Sequence, residues 1–426
     1  MNQFSVLLVL VILSSATPVT SLADSKVNLV GNNYTFHSSI LEQSRELQVY
    51  VPGSFKEKQA TNKKYSVLYL LDGHNWFLNA VSLSNLLAQY GEIPELIIVG
   101  INTDDSSRYQ FFQKKALLRD FLESEVIPFI EQRFPVSDQR MLFGWQYAGA
   151  LTLDILAKKP SLFSNYLVSS PFPIEGSNMD EFIQGVSQWS KADLLPNKVY
   201  LNISANQTEG TVKLGTDLLA DYLKKQSIKQ FTWDYLEIEP LRSVSLGHRF
   251  SPLETLFQGL INYYPDYPVL EFDSVAEFKA LGGMVYVKSY YLQRAEKHGF
   301  DPEIPEEGWF YLGRLALDAN DPGLLSLIVK EMIANGQLDK NHAQRNSSYA
   351  KLLANHKYYN EAIAVYRSLI RQLPTEPMLY KRLGDIYRSM QQVELARTNY
   401  RQALNLAVKQ SSVNLSEHKA DLESVR

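Results

Sequence analysis

The chain of 426 residues contains no cysteine. Disulfides, thiolate catalysis and cysteine-ligated metals are thereby excluded. It also lacks a basic excess: 42 Lys and Arg stand against 46 Asp and Glu, a net charge of -4. That balance leaves no electrostatic footprint for nucleic acid. Beyond the N-terminus no apolar run is long enough to cross a membrane. No motif calls for a cofactor or a metal ion. What is present reads as globular, with 45% hydrophobic and 21% charged residues, enough to bury a sizeable core. The aromatic share of 12% is accounted for by core packing. The length favours two domains over one.

Val6 to Leu13, VLLVLVIL, is an apolar stretch too short to span a bilayer. Ser21-Leu22-Ala23 then places small residues at the two positions a signal peptidase reads, so cleavage after Ala23 is expected. The released protein would be exported, periplasmic or secreted, and soluble. The n-region MNQFS has no Lys or Arg, which leaves an uncleaved anchor as the alternative. The Asn-x-Ser/Thr triplets at Asn33 and Asn202 matter only if the host glycosylates exported proteins.

From Glu46 to Tyr264 two textures alternate. Short runs rich in β-branched and aromatic residues (ELQVYVP, YSVLYLLDG, PELIIVGIN, QRMLFG, KVYLNIS, FTWDYLEI) read as strands. Between them lie helix-period segments such as Leu117 to Arg133 and Leu151 to Lys158. Several strands are apolar throughout, as a mainly parallel sheet with helices on both faces requires. Ligand sites in such sheets lie beyond the carboxyl ends of the strands. Those ends are the turns after Asp72, Asn102, Phe143, Ser170, Ser204 and Ile238.

After Pro265 the texture is helical, and a repeat appears. Tyr380, Leu383, Gly384, Tyr387, Ala396, Tyr400 and Ala403 match the tetratricopeptide pattern W-x2-L-G-x2-Y…A-x3-F. One repeat length earlier, about 34 residues, stand Ala362 and Tyr366, with Pro374 closing that unit. Two unrelated amphipathic hairpins are the alternative. The expected organisation is a signal peptide at 1–23, an α/β domain at 24–265 and a helical connector at 266–335. Tetratricopeptide-like repeats at 336–409 and a polar tail at 410–426, expected to fray, complete it.

The stretch FGWQYAGA, Phe143 to Ala150, carries the chemical question. A nucleophile elbow, G-x-S-x-G, needs small residues two before and two after the reactive side chain because its strand-to-helix turn is tight. Gly144 and Ala148 meet that need, but Gln146 stands where the serine belongs. The order of polar residues also suits a triad: position 146, an acid near 209, a histidine at 248. Local context supports this and an ordinary turn with a surface glutamine equally.

The segments YSVLYLLDGHNWF, GEIPELIIVGINTDDSSR and FLESEVIPFIEQRFPVSDQRMLFGWQYAGA resemble the putative-esterase family, which includes esterase D and the ferric-enterobactin esterases. The likeness continues through AKKPSLFSNYLVSSP and SVSLGHRFSPLETLFQGL, and so covers most of Glu46 to Tyr264. The resemblance implies an α/β-hydrolase fold and hydrolysis of carboxylic esters, siderophore lactones among them. It puts Gln146 at the nucleophile position and His248 at the general base. Tyr147 and Gly73 would supply oxyanion-hole N–H groups. Glu209 would be the acid, with Asp217 and Glu237 as weaker candidates. Taken alone, Glu209 reads as a solvated loop charge.

Four features depart from the family. The serine is absent, Arg108 is followed by Tyr109 and Gln110 where an aspartate is usual, the glycine-rich loop has shrunk to FFQKK, and Arg249 follows His248. An amide nitrogen has its lone pair delocalised and is no nucleophile, so His248 has no proton to accept and no acyl-enzyme forms. Two expectations follow. The first is a non-hydrolytic member that binds a small ester-like ligand in the vestigial pocket, or a protein or peptide on the repeats. The alternative is an active carboxylic-ester hydrolase, of siderophore-lactone or acyl-ester type, with weak or unusual catalysis. Ser169 and Ser170 end the strand after the elbow but belong to a different turn, and read as pocket or structural residues.

Overall fold

The computed structural model describes residues 30–57, 64–103, 108–174, 176–192, 195, 198–298, 302–340, 343–410 and 414–425. The expected signal peptide lies outside them. Eight strands form one sheet: β1 (Asn32–Ser38), β2 (Gln43–Tyr50), β3 (Tyr65–Leu71), β4 (Leu96–Ile101), β5 (Val136–Trp145), β6 (Asn165–Ser169), β7 (Val199–Asn206) and β8 (Phe231–Ile238). Their order is β1-β2-β4-β3-β5-β6-β7-β8. β2 pairs antiparallel with both β1 and β4, and the remaining pairings are parallel. β3, β4 and β6 are buried at every position. Their unbroken apolar runs follow from cover on both faces. β1 escapes a pattern reading because NNYTFHS is polar and largely exposed on one edge.

A short α1 (Ser54–Glu57) leads to β3, and α2 (Gly73–Gln89) follows that strand. After β4 come α3 (Arg108–Gln113), α4 (Lys115–Phe121) and α5 (Ile127–Glu131), the last two joined by a π turn at Leu122–Val126. The helical period expected from Leu117 to Arg133 is thus interrupted by a wider turn. Then α6 (Tyr147–Lys158), α7 (Ser177–Ala192), α8 (Thr211–Lys224) and α9 (Val244–Tyr263) alternate with the later strands. Period-two alternation sorts the side chains: Val67, Tyr69 and Leu71 join one core, with residues of the π turn, α5, α6, α7 and α8. Leu68 and Leu70 join the other, with Trp76 and Phe77 of α2 and Leu256 and Leu260 of α9. Each such fully buried side chain is worth about 1.5–3 kcal/mol.

The strand before the elbow runs to Trp145 and β7 runs to Asn206, each two residues past the expected turn. Asn202 is fully buried on β7, so that triplet is no glycosylation acceptor in the folded chain.

The C-terminal part is helical: α10 (Val275–Ala280), α11 (Gly283–His298), α12 (Glu306–Asp318), α13 (Pro322–Ala334), α14 (Ala343–Asn355), α15 (Tyr359–Gln372), α16 (Pro377–Ser389), α17 (Val393–Lys409) and α18 (Leu415–Glu423). Its core, from Phe278 to Val425, shares no buried residue with the two cores of the sheet. α12 with α13, α14 with α15 and α16 with α17 pack as hairpins. The first lies in the expected connector, and its Trp309-x2-Leu312-Gly313 repeats the opening of the pattern seen later. At Gly384 a Cβ would stand 2.6 Å from the Tyr400 ring, which is why α16 needs glycine there.

The polar stretch after Gln410, expected to fray, instead folds into α18. His418 and Val425 are buried. Arg397 donates to the Val425 carbonyl at 2.7 Å, and Lys381 reaches Glu417 at 3.4 Å and Asp421 at 3.3 Å. Those partners are remote in sequence, so composition alone hid them. Where sheet and helical parts join, His298 of α11 packs against the rings of Tyr264 and Tyr267 at 5.5 and 5.4 Å.

Candidate active site

Gln146 sits between β5 and α6 with φ 55° and ψ −118°. A non-glycine residue held there costs on the order of 1–3 kcal/mol and persists only when its surroundings impose it. They do so through the backbone: Gln146 N–H donates to the Ser169 carbonyl at 3.1 Å, and its own carbonyl accepts from Ala150 and Phe172 N–H at 2.9 and 3.1 Å. Close packing adds to this. A Cβ on Gly144 would stand 2.4 Å from both the Ala148 carbonyl oxygen and the Thr152 hydroxyl.

His248 lies in the second turn of α9, whose first turn is capped by the Ser243 hydroxyl, accepting from Leu246 N–H at 3.2 Å. Gly247 lets this helix approach the end of β7, since a Cβ there would meet the Asn206 side chain at 2.6 Å. That approach brings His248 Nδ1 to 2.5 Å from Glu209 Oε1. Glu209 is not a solvated loop charge: its side chain is 2% exposed. Its carboxylate accepts from the Ser170 hydroxyl at 2.8 and 2.7 Å and from Asn206 N–H at 2.9 Å. On the other side, His248 Nε2 is hydrogen-bonded to the Gln146 side-chain nitrogen. The structure therefore brings Gln146, His248 and Glu209 into one line. It does not bring Asp217 and Glu237 there, because both engage Lys213, at 2.6 and 3.1 Å.

Tyr147 opens α6 and Gly73 opens α2, at the carboxyl ends of the neighbouring strands β5 and β3. Arg108 spans the two turns, a contact the sequence pattern did not disclose. It donates to Asp72 Oδ2 through Nε at 2.9 Å and Nη2 at 2.7 Å, to the Trp145 carbonyl at 3.0 Å, and through Nη1 to Gln146 Oε1 at 3.0 Å. Asp72 is fully buried, and Thr103 donates to its other oxygen. The Arg108 guanidinium also lies 5.4 to 5.6 Å from the rings of Trp145, Phe112 and Tyr147.

Proton logic then defines the network. Arginine has only donors, so the Gln146 amide must turn its oxygen to Arg108 and its NH₂ to His248. His248 Nε2 must accept, which places the imidazole proton on Nδ1, facing Glu209. This is the neutral tautomer a triad histidine uses. Here, though, the atom it faces carries no removable proton and no nucleophilic lone pair. Among the described residues no cluster of His, Asp or Glu could hold a metal ion.

Residues 38–233 match the family described as Putative esterase. The sheet part has an α/β-hydrolase-like fold. The matched segment includes Gln146 and Glu209 but ends before His248. A siderophore triacetylfusarinine C esterase of Aspergillus fumigatus is 30% identical over 146 residues, which is 29% of this chain and 50% of that relative. The chain thus spans about half the length of that curated relative. Among solved structures, an IroE-like serine hydrolase from Shewanella oneidensis aligns with a TM-score of 0.50 at 21% identity, over 67% of this chain and 93% of its own. An uncharacterised protein from Capnocytophaga ochracea aligns with a TM-score of 0.53 at 16% identity, over 91% of this chain and 99% of its own. At these identities the likeness is one of fold, and the second extends past the sheet part into the helical part. No helix among the described residues is long and apolar enough to cross a membrane.

Proposed function

We propose that this protein is an exported, non-hydrolytic relative of siderophore-type esterases, with a binding role for its vestigial site. The observation that carries the reading is the Gln146 amide, held between the Arg108 guanidinium and the His248 imidazole. Both ends of the side chain are satisfied, and the base has its acceptor nitrogen blocked. Oxyanion donors and binding alone leave roughly 10³–10⁴-fold acceleration over water when a triad nucleophile is lost. The ligand we assign to the site is a small ester-like molecule, on the strength of the likeness to a siderophore esterase. The C-terminal hairpins are read as tetratricopeptide-like repeats that present a surface to a protein or peptide segment.

One observation favours the second reading, an active ester hydrolase of low rate: the His248–Glu209 pair is intact, with Glu209 buried and His248 partly open to solvent. The test is initial-rate measurement on an activated short-chain ester and on a siderophore lactone, with His248→Ala as the background. No difference between wild type and variant is expected. Turnover that disappears in His248→Ala establishes the second reading instead.

A further inference from the structure

On the α9 side of the sheet, β7 presents a polar row where a core strand normally presents apolar ones. At its upper end the Ser204 hydroxyl is bonded to that of Thr255 on α9 and the Asn206 amide donates to the Glu239 carbonyl, and below them come Asn202 and Tyr200. Asn202 is fully buried, yet neither atom of its amide has a protein partner, and the Tyr200 hydroxyl has none. A buried polar side chain left unpaired is costly, and native proteins rarely keep one without use. These two residues stand opposite Asp234 and Thr232 on the edge strand β8.

α9 packs mainly on β6 and β7 and meets β8 more sparsely, leaving Thr232 and Asp234 of that edge strand exposed. Between β8 and the C-terminal half of α9 runs a groove of about 560 Å³, with Tyr200, Asn202, Thr232, Asp234, Gln258 and Asn262 among its walls. Asn262 donates to Asp234 at 3.3 Å.

The wall chemistry narrows the occupant. None of the described residues lining the groove is a lysine, arginine or histidine, so an anion finds no charge partner. A single carboxylate is too few for a bound cation. A hydrocarbon would leave the Asn202 amide unpaired. Three planar amides, one carboxylate and two hydroxyls supply both donors and acceptors, with acceptors in excess. Vicinal hydroxyls demand that mixture, since each both gives and takes a hydrogen bond. The Tyr200 ring, partly buried and 6.3 Å from Tyr263, offers an apolar face for ring C–H groups.

We propose that this groove is a binding site for a neutral saccharide, one ring seated between β8 and α9. It is separate from the Gln146–His248 site, which opens at the carboxyl ends of the strands.

The test uses saturation-transfer NMR and titration calorimetry of the full-length protein. The probes are glucose, galactose, mannose, N-acetylglucosamine and their disaccharides, with inorganic phosphate and citrate as anionic controls. At least one sugar should bind saturably. Asp234→Ala and Asn262→Ala, both at positions near the surface, should each weaken it by about tenfold, the effect of losing one good polar contact. His248→Ala should leave the affinity unchanged. Asn202→Leu should abolish binding while keeping or raising the thermal midpoint, because it removes an unpaired buried amide. The proposal is overturned if no sugar saturates, if the anions bind in their place, or if Asp234→Ala and Asn262→Ala bind as wild type does. Loss of sugar binding in His248→Ala would overturn it too, by locating the saccharide in the other site.

Discussion

Gln146→Ser places a hydroxyl at the position now held by the glutamine Cγ. The amide nitrogen that meets His248 lies two bonds further out, about 2.4 Å from Cγ by standard bond lengths. The new Oγ would therefore start roughly 4 Å from His248 Nε2, about 1 Å beyond the reach needed for proton transfer. His248 cannot swing freely to close that gap, because Nδ1 is bonded to the buried Glu209, itself held by Ser170 and Asn206. Losing the nucleophile of a working triad removes about 10⁶-fold in rate, and a misplacement of about 1 Å costs about 10²-fold. A gain of up to about 10⁴-fold over wild type is the expected ceiling for the variant. The assay is the initial rate on an activated short-chain ester for wild type, Gln146→Ser and Gln146→Ser with His248→Ala. Wild type should sit at the background, the single variant above it, and the double variant back at background. A single-variant rate that survives the loss of His248 would refute the assignment of these residues to one site.

N-terminal sequencing of the native protein should find Asp24 first, in a soluble fraction, and Met1 would refute export by cleavage. Truncation after Tyr264 should leave an α/β domain that unfolds cooperatively, since the two parts share no core. Aggregation of that domain, read by light scattering, would instead show that the helices cover an apolar face of it. Burial depresses His298 to about 4 from an ordinary value of 6.5, against the opposing pull of Asp266 at 3.6 Å and with support from Lys297 and Arg294. The unfolded chain therefore takes up a proton first on acidification. The associated stability, up to about 3 kcal/mol for a side chain so enclosed, is present above pH 6.5 and lost as pH falls toward 4. The thermal midpoint of wild type should fall relative to that of His298→Leu over that window, and parallel curves would refute the linkage.

Much of the fold is written in local pattern. β3 and β4 announce themselves because each apolar run reports its own burial, and the tetratricopeptide-like spacing of α16 and α17 is a helical period. β1 and α18 were silent for the converse reason. The first is a polar edge strand, and the second is held by Lys381 and Arg397, partners 28 to 40 residues away.

The candidate site divides along the same line. That position 146 cannot attack a carbonyl is a property of an amide, and no folding changes it. The sequence by itself determined that, along with the absence of thiol chemistry and the small residues the elbow requires. What the amide does instead was decided only by tertiary structure. Arg108, 38 positions away, fixes which end of Gln146 carries its oxygen, and His248, 102 positions away, receives the other end. Glu209 changes from a loop charge to a buried anion because Gly247 admits α9 against β7. Hydrogen bonds are set by distance and direction in space, and a one-dimensional order of residues carries neither.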